Sequence, residues 1–215
     1  MRVRIVLAVA LTLVGIAVVV ALSQGARRLA GTSFVVQRAF VVALPPHGTA
    51  CQPGTYVADD SAAAQVLVGT YGRPRPALTV TFSDPGGGLV ARGRLPGGAR
   101  QGLVTVPFAH VVHGSRAATT ACVHSDGPER LALGGDVATP AGAARIDGRA
   151  TGGVVGFGYL RPGRESWWSL MPVVAQRFGL GKASRFGTWT LPVLALVLLG
   201  LWVAAARLLL RETES

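Results

Sequence analysis

Hydrophobic positions fall into two patterns along the chain. At each end lies a long run without charge: IVLAVALTLVGIAVVVALSQGA over 5–26 and FGTWTLPVLALVLLGLWVAAA over 186–206. Each is long enough, at about 1.5 Å per residue, for a helix that crosses a bilayer of about 30 Å. Arg2 and Arg4 precede the first run, and Arg207 and Arg211 follow the second. Pro192 falls in the first turn of the second run, where a missing N–H does little harm. Both runs are predicted as transmembrane helices. The first exceeds the apolar region of a cleaved signal peptide, and Gln24 departs from the A-x-A cleavage pattern, so it reads as a retained anchor.

Between the ends the pattern becomes short. Runs rich in Val, Thr and Phe occupy 33–44, 63–71, 77–83, 89–95, 102–110, 118–124, 130–135, 143–147 and 153–160. Several alternate apolar with polar residues, the period of a half-buried strand. In ALTVTFS, Leu78, Val80 and Phe82 share one face; in GLVTVPFAH the register stays open. PPHG, RPRP, DPGGG, LPGG and TPAG separate the runs, and DPGGG at 84–88 is a hairpin signal. No helical period interrupts them, which argues against a βαβ sheet. The predicted class is mainly β, an antiparallel β-sandwich of jelly-roll or Ig-like type over 27–163.

The domain plan is then a tail at 1–4, a span at 5–26, the β domain at 27–163, a juxtamembrane segment at 164–185, a second span at 186–206 and a tail at 207–215. Within 164–185, S-LMPVVAQRF-G predicts a short amphipathic helix capped by Ser169 and ended by Gly179. Trp167, Trp168 and Phe178 line its apolar side, and Trp189 opens the second span. All four are assigned to the membrane interface. Two spans return both termini to one side. The expected location is a cell membrane, with both termini cytoplasmic and the β domain extracytoplasmic.

Charge changes the picture in one respect. The net charge is +11, but only Lys182 among the 21 basic residues is a lysine, and Asn is absent, a bias that matches GC-rich coding. Apart from the Arg27–Arg28 pair the arginines are dispersed singly, without the clustering or aromatic interleaving of a nucleic-acid binder. Nucleic acid is therefore not expected as a partner. Membrane lipids or an anionic envelope polymer suit such a domain better. For a glycan, Tyr71, Tyr159 and Trp167 are the aromatic candidates.

Two cysteines, Cys51 and Cys122, lie in or beside β segments. A disulfide between them would suit an oxidising compartment. It would close a loop of about 70 residues, worth about 4 kcal/mol in the chain-entropy model. The four histidines, His47, His110, His113 and His124, and the pair Asp59–Asp60 lack metal-ligand spacing. Phosphate-loop, G-x-S-x-G and H-E-x-x-H motifs are absent. No metal and no cofactor are expected.

Two local resemblances remain. The hairpin VTFSDPGGGLVARGRL (80–95) resembles those of bacterial Ig-like and jelly-roll envelope domains, which supports the fold class alone. The segment TTAC (119–122), with Arg130 downstream, resembles the sortase transpeptidases, membrane-anchored β-barrels that use Cys, His and Arg. That resemblance implies Cys122 as nucleophile, Arg130 as oxyanion stabiliser and His47 as acid/base partner. The leading expectation is a non-enzymatic cell-envelope membrane protein. It would act as an accessory subunit of a membrane complex, through its spans and its β-sandwich, with another membrane protein as partner. An envelope-glycan or anionic-polymer binding module and a sortase-like transpeptidase are the alternatives.

Overall fold

A computed structural model of the chain describes residues 2–98, 102–171 and separate positions between 193 and 207. Its contacts divide it into two units, Arg27–Gly163 and a second formed by Met1–Ala26 with Arg164–Ser215. In chain order the elements are helix α1 (Arg2–Ser23) and strands β1 (Gly25–Ala26), β2 (Leu29–Thr32), β3 (Ala39–Leu44), β4 (Thr49–Val57), β5 (Ser61–Gly69), β6 (Leu78–Ser83) and β7 (Leu89–Leu95). They continue as β8 (Gly102–Val112), β9 (Arg116–Ser125), β10 (Leu131–Val137), β11 (Arg145–Ile146), β12 (Arg149–Ala150), β13 (Gly153–Val155), β14 (Gly158–Leu160) and β15 (Glu165–Ser166).

The fold is mainly β and antiparallel. In Arg27–Gly163 the strands form one path, β12-β11-β4-β9-β6-β7-β8-β5-β10-β13, with β3 beside β10 and β14 between β5 and β2. Strands from both halves of this path share one core, so the sheet must close over on itself. The alternation places Leu78, Val80 and Phe82 inward, as their spacing requires. It also settles the register of β8: Val104 and Val106 are buried, while Leu103 faces out. Phe82 sits at the centre, edge-on to Phe108, Phe157 and Tyr159 at 5.4–5.8 Å between ring centroids.

One expected strand is shortened, and a long strand lies outside the expected runs. The run 33–44 extends only over Ala39–Leu44, because Phe34 adopts φ +61° and breaks the extended path. Conversely β4, TACQPGTYV, is a strand despite its Pro-Gly pair. The register shifts between Gln52 and Thr55, so Pro53 and Gly54 are accommodated in a bulge. Beside that bulge the buried Gln52 side chain bonds the Val155 backbone at both its N–H and its C=O, joining β4 to β13 where no ladder does. At Gly135 in β10 the backbone of Val154 comes so close that a Cβ would meet the Val154 carbonyl.

The membrane topology expected from the sequence is overturned. No helix among the described residues is long and apolar enough to cross a membrane. The predicted span 5–26 is shortened, because α1 ends at Ser23 and Gly25–Ala26 pair with Glu165–Ser166 as a two-stranded ribbon. Its uncharged helical part, from Ile5, is about 28 Å long at about 1.5 Å per residue, against about 30 Å of hydrocarbon. The second predicted span, 186–206, lies mostly outside the described residues. The two-span location, with both termini cytoplasmic and the β domain extracytoplasmic, therefore does not stand. The juxtamembrane helix also begins earlier than expected. Residues 167–171 are helical, and Ser166 rather than Ser169 is the cap, its Oγ accepting from the Ser169 N–H at 3.3 Å. Gly179 and Phe178 lie outside the described residues.

Tyr159 yields a pH prediction. It is fully buried, its hydroxyl has no partner, and burial pushes its pKa well above the ordinary value. A folded-state pKa above the unfolded value of about 10 leaves stability intact below that pH and removes it as pH rises further. Urea unfolding at pH 8 and pH 11 should show a drop in stability for the wild type that Tyr159→Phe lessens. At pH 8 Tyr159→Phe should be neutral or stabilising, since it removes an unsatisfied hydroxyl. Phe82→Ala, by contrast, should cost about 3–5 kcal/mol.

Candidate functional site

The outward face of β11, β4, β9, β6 and β7 carries a polar array built by strand register. Residues directly opposite on antiparallel strands lie about 4.5–5.5 Å apart, so each register position becomes a row across the sheet. One row runs Arg145, Cys51, Cys122, Thr81, Arg92. The next, two residues along each strand, runs Thr49, His124, Thr79, Arg94. The inward neighbours Ala50, Val80, Ala91, Ala121 and Val123 are all buried, which confirms that the rows face out.

Cys51 and Cys122 are joined by a disulfide across β4 and β9, with Cα atoms 4.0 Å apart, and no free cysteine remains. The sequence expectation of a bridge holds. The transpeptidase roles drawn from the sortase resemblance meet this bond directly: Cys122 has no thiol to ionise while it lasts. His47 sits in the turn before β4, its backbone N–H donating to the Gly127 carbonyl, and Arg130 lies exposed before β10. Neither side chain hydrogen-bonds Cys122.

A chain of polar contacts orders the second row. Thr49 Oγ1 and His124 Nδ1 are 2.8 Å apart. His124 Nε2 lies 3.2 Å from Asp126 Oδ1, and Arg94 donates to Asp126 Oδ2 at 3.1 Å. Arg94 is thus charge-compensated. Arg92 and Arg145 are exposed and have no carboxylate partner among the described residues. Residues 27–163 hold 13 Arg and 7 Asp or Glu, a net +6, so the unpaired arginines stand in a positive domain.

The remaining candidates scatter. Tyr71 is exposed on the turn after β5, whereas Tyr159 is buried in the core and cannot stack on a glycan. Trp167 and Trp168 are exposed in the second unit, and Trp189 lies outside the described residues. His113 reaches Asp60 at 3.6 Å, and Arg161 reaches the same carboxylate at 3.4 Å, an ion-paired loop rather than a ligand set. No group of three or more His, Cys, Asp or Glu among the described residues can hold a metal. A second surface is apolar. A groove of about 380 Å³ is lined by Leu29, Phe34, Val36, Leu103, Gln37 and Gln65, with Phe34 80% exposed.

Sequence reasoning missed the hydroxyl and arginine rows. Thr49 and His124 are 75 residues apart, and only pairing brings them together. The available signal was the polar half of the alternation in LTVTF and ARGRL, which marks an outward face without saying what lies beside it. Comparison with known proteins gives no match: no family model, no curated protein and no solved structure is similar to the chain.

The bridge spans 71 residues of sequence. Native protein should show no maleimide-reactive thiol until it is reduced. Reduction, or Cys51→Ala with Cys122→Ala, should lower stability by about 2–5 kcal/mol in urea unfolding.

Proposed function

We propose that the protein is a non-enzymatic cell-envelope component that binds an anionic polymer through the outward face of β11, β4, β9, β6 and β7. The observation that carries this reading is the row Arg145–Cys51–Cys122–Thr81–Arg92, which holds two unpaired guanidinium groups on one crosslinked sheet face. Four strand steps separate Arg145 from Arg92, about 19 Å at about 4.8 Å per step. That spacing suits successive charges of an extended polyanion rather than one small ion. Threonine hydroxyls between them can donate to phosphate or carboxylate oxygens. None of the nine positions of the two rows is Phe, Tyr or Trp, so the rows offer charge and hydroxyls rather than a stacking platform for a neutral sugar. A disulfide suits an oxidising compartment. The finer fold assignment, a sandwich of jelly-roll or Ig-like class, belongs to the same reading, since two layers around one core leave such a face free.

A second reading, an accessory subunit that docks a partner protein, draws on the apolar groove around Phe34 and its exposed neighbours Leu29, Val36 and Leu103. Apolar surface gathered in one place is a mark of protein contact.

Full-length protein titrated with polyphosphate should bind, and binding should weaken as salt rises. Arg92→Gln with Arg145→Gln should weaken it about 30-fold, at about 1 kcal/mol per basic residue on an anionic surface. Equal affinity in the double variant would remove this face from the reading.

A further inference from the structure

Buried polar atoms without partners gather at one end of Arg27–Gly163. Among the described residues there are four such side-chain atoms, and three are Thr70 Oγ1, Arg75 Nε and Ser125 Oγ. Thr70 directly follows β5, and Ser125 ends β9. Both continue the inward alternation of their strands: Val66, Val68, Thr70 on one, Ala121, Val123, Ser125 on the other, all buried. Each is therefore the last inward residue on its side of the shared core. Arg75 lies on the connection from β5 to β6, which runs between these positions. Three residues beyond Arg75, Leu78 pairs with Ser125.

Arg75 is only 4% exposed. Its two Nη atoms donate to the carbonyl oxygens of Pro76 at 3.0 Å and Pro96 at 2.8 Å. Those neutral acceptors satisfy hydrogen bonds but supply no counter-charge. The carboxylates of the neighbouring turn are engaged elsewhere, Glu129 with Arg73 and Asp126 with Arg94 and His124. Burial lowers the Arg75 pKa, yet arginine in a protein keeps its proton. A guanidinium held from water without an anion is strongly unfavourable.

We propose that this end of the fold binds one small oxyanion, a phosphate, sulfate or carboxylate group, on the Arg75 guanidinium with the Thr70 and Ser125 hydroxyls. A planar guanidinium and two hydroxyl donors match the acceptor-only character of such a group. The site is distinct from the polymer-binding face: Ser125 points into the core, whereas His124 beside it points out. All three atoms are covered, so an anion reaches them only where the local packing opens. The 126–128 turn lies against Pro76, where Gly127 leaves no room for a Cβ.

The test is thermal unfolding of the full chain with phosphate titrated against chloride at constant ionic strength. Parallel titrations with sulfate and acetate tell a tetrahedral from a planar oxyanion. In the wild type Tm should rise with phosphate, and calorimetric titration should saturate at one phosphate per chain. Arg75→Gln should flatten the rise, and Arg92→Gln with Arg145→Gln should keep it. An equal rise in Arg75→Gln, loss of the rise in the outer-face variant, or no saturable site in the wild type for any of the three anions would overturn the proposal. Should Arg75→Gln fail to fold, Thr70→Val with Ser125→Ala decides. It removes hydroxyls that have no partner in the fold, so it should remain folded and bind phosphate several-fold more weakly. Unchanged affinity there would overturn the site while leaving the polymer-binding reading untouched.

Discussion

Cys51 and Cys122 stand directly opposite each other on β4 and β9, and the bond between them pins a register that the rest of the β domain inherits. Side chains alternate with a period of two, so a slip of one residue would turn Ala50, Ala121 and Val123 outward and bring Thr49 and His124 into the core. β9 also pairs β6, and β6 pairs β7. The register fixed at the bridge is thus passed on across the sheet. The same constraint that buries Val80 and Phe82 sets Thr81 and Arg92 in line on the outside.

Two kinds of surface result from this one alternation. In the two rows across β4, β9, β6 and β7 the outward positions are threonines, arginines, a histidine and the cysteine pair. On the far side, around β5 and β8, they include Leu67 and Leu103, and the chain beyond β2 adds Phe34 and Val36. The β domain thus carries a polar face and an apolar groove, the surfaces on which the polymer-binding and partner-docking proposals rest. The strand ends differ again. There Thr70 and Ser125 bring polar atoms into the last layer of the core, and Arg75 adds a charge.

The disulfide bears on chemistry as well as on shape. A cysteine on a β-strand with histidine and arginine elsewhere in the chain matches several catalytic arrangements, and the sortase resemblance rested on that match. Bonded to Cys51, Cys122 contributes a crosslink to a polar sheet face. The nearest ordered polar chain, Thr49–His124–Asp126–Arg94, lies flat on the sheet and ends in an ion pair.

What the sequence determined by itself was local. Alternation in ALTVTFS, the DPGGG turn and the spread of Val and Thr specified strands, because period and turn chemistry act over a few residues. The cysteine pair was legible for the same reason: two thiols in β segments have few other roles. Where local rules compete, the tertiary structure decided. Residues 49–57 lay outside the expected strand runs, yet they form β4 with Pro53 and Gly54 in a bulge, while Phe34 reads as strand but turns out of it. The apolar run at 5–26 looked like one continuous span, yet Gly25–Ala26 pair with Glu165–Ser166, a contact across 140 positions that no local pattern encodes. The arginine row, the hydroxyls beside it and the Arg75 cluster are likewise products of pairing between distant strands. Each residue is ordinary alone, and its role comes from the neighbour that the register supplies.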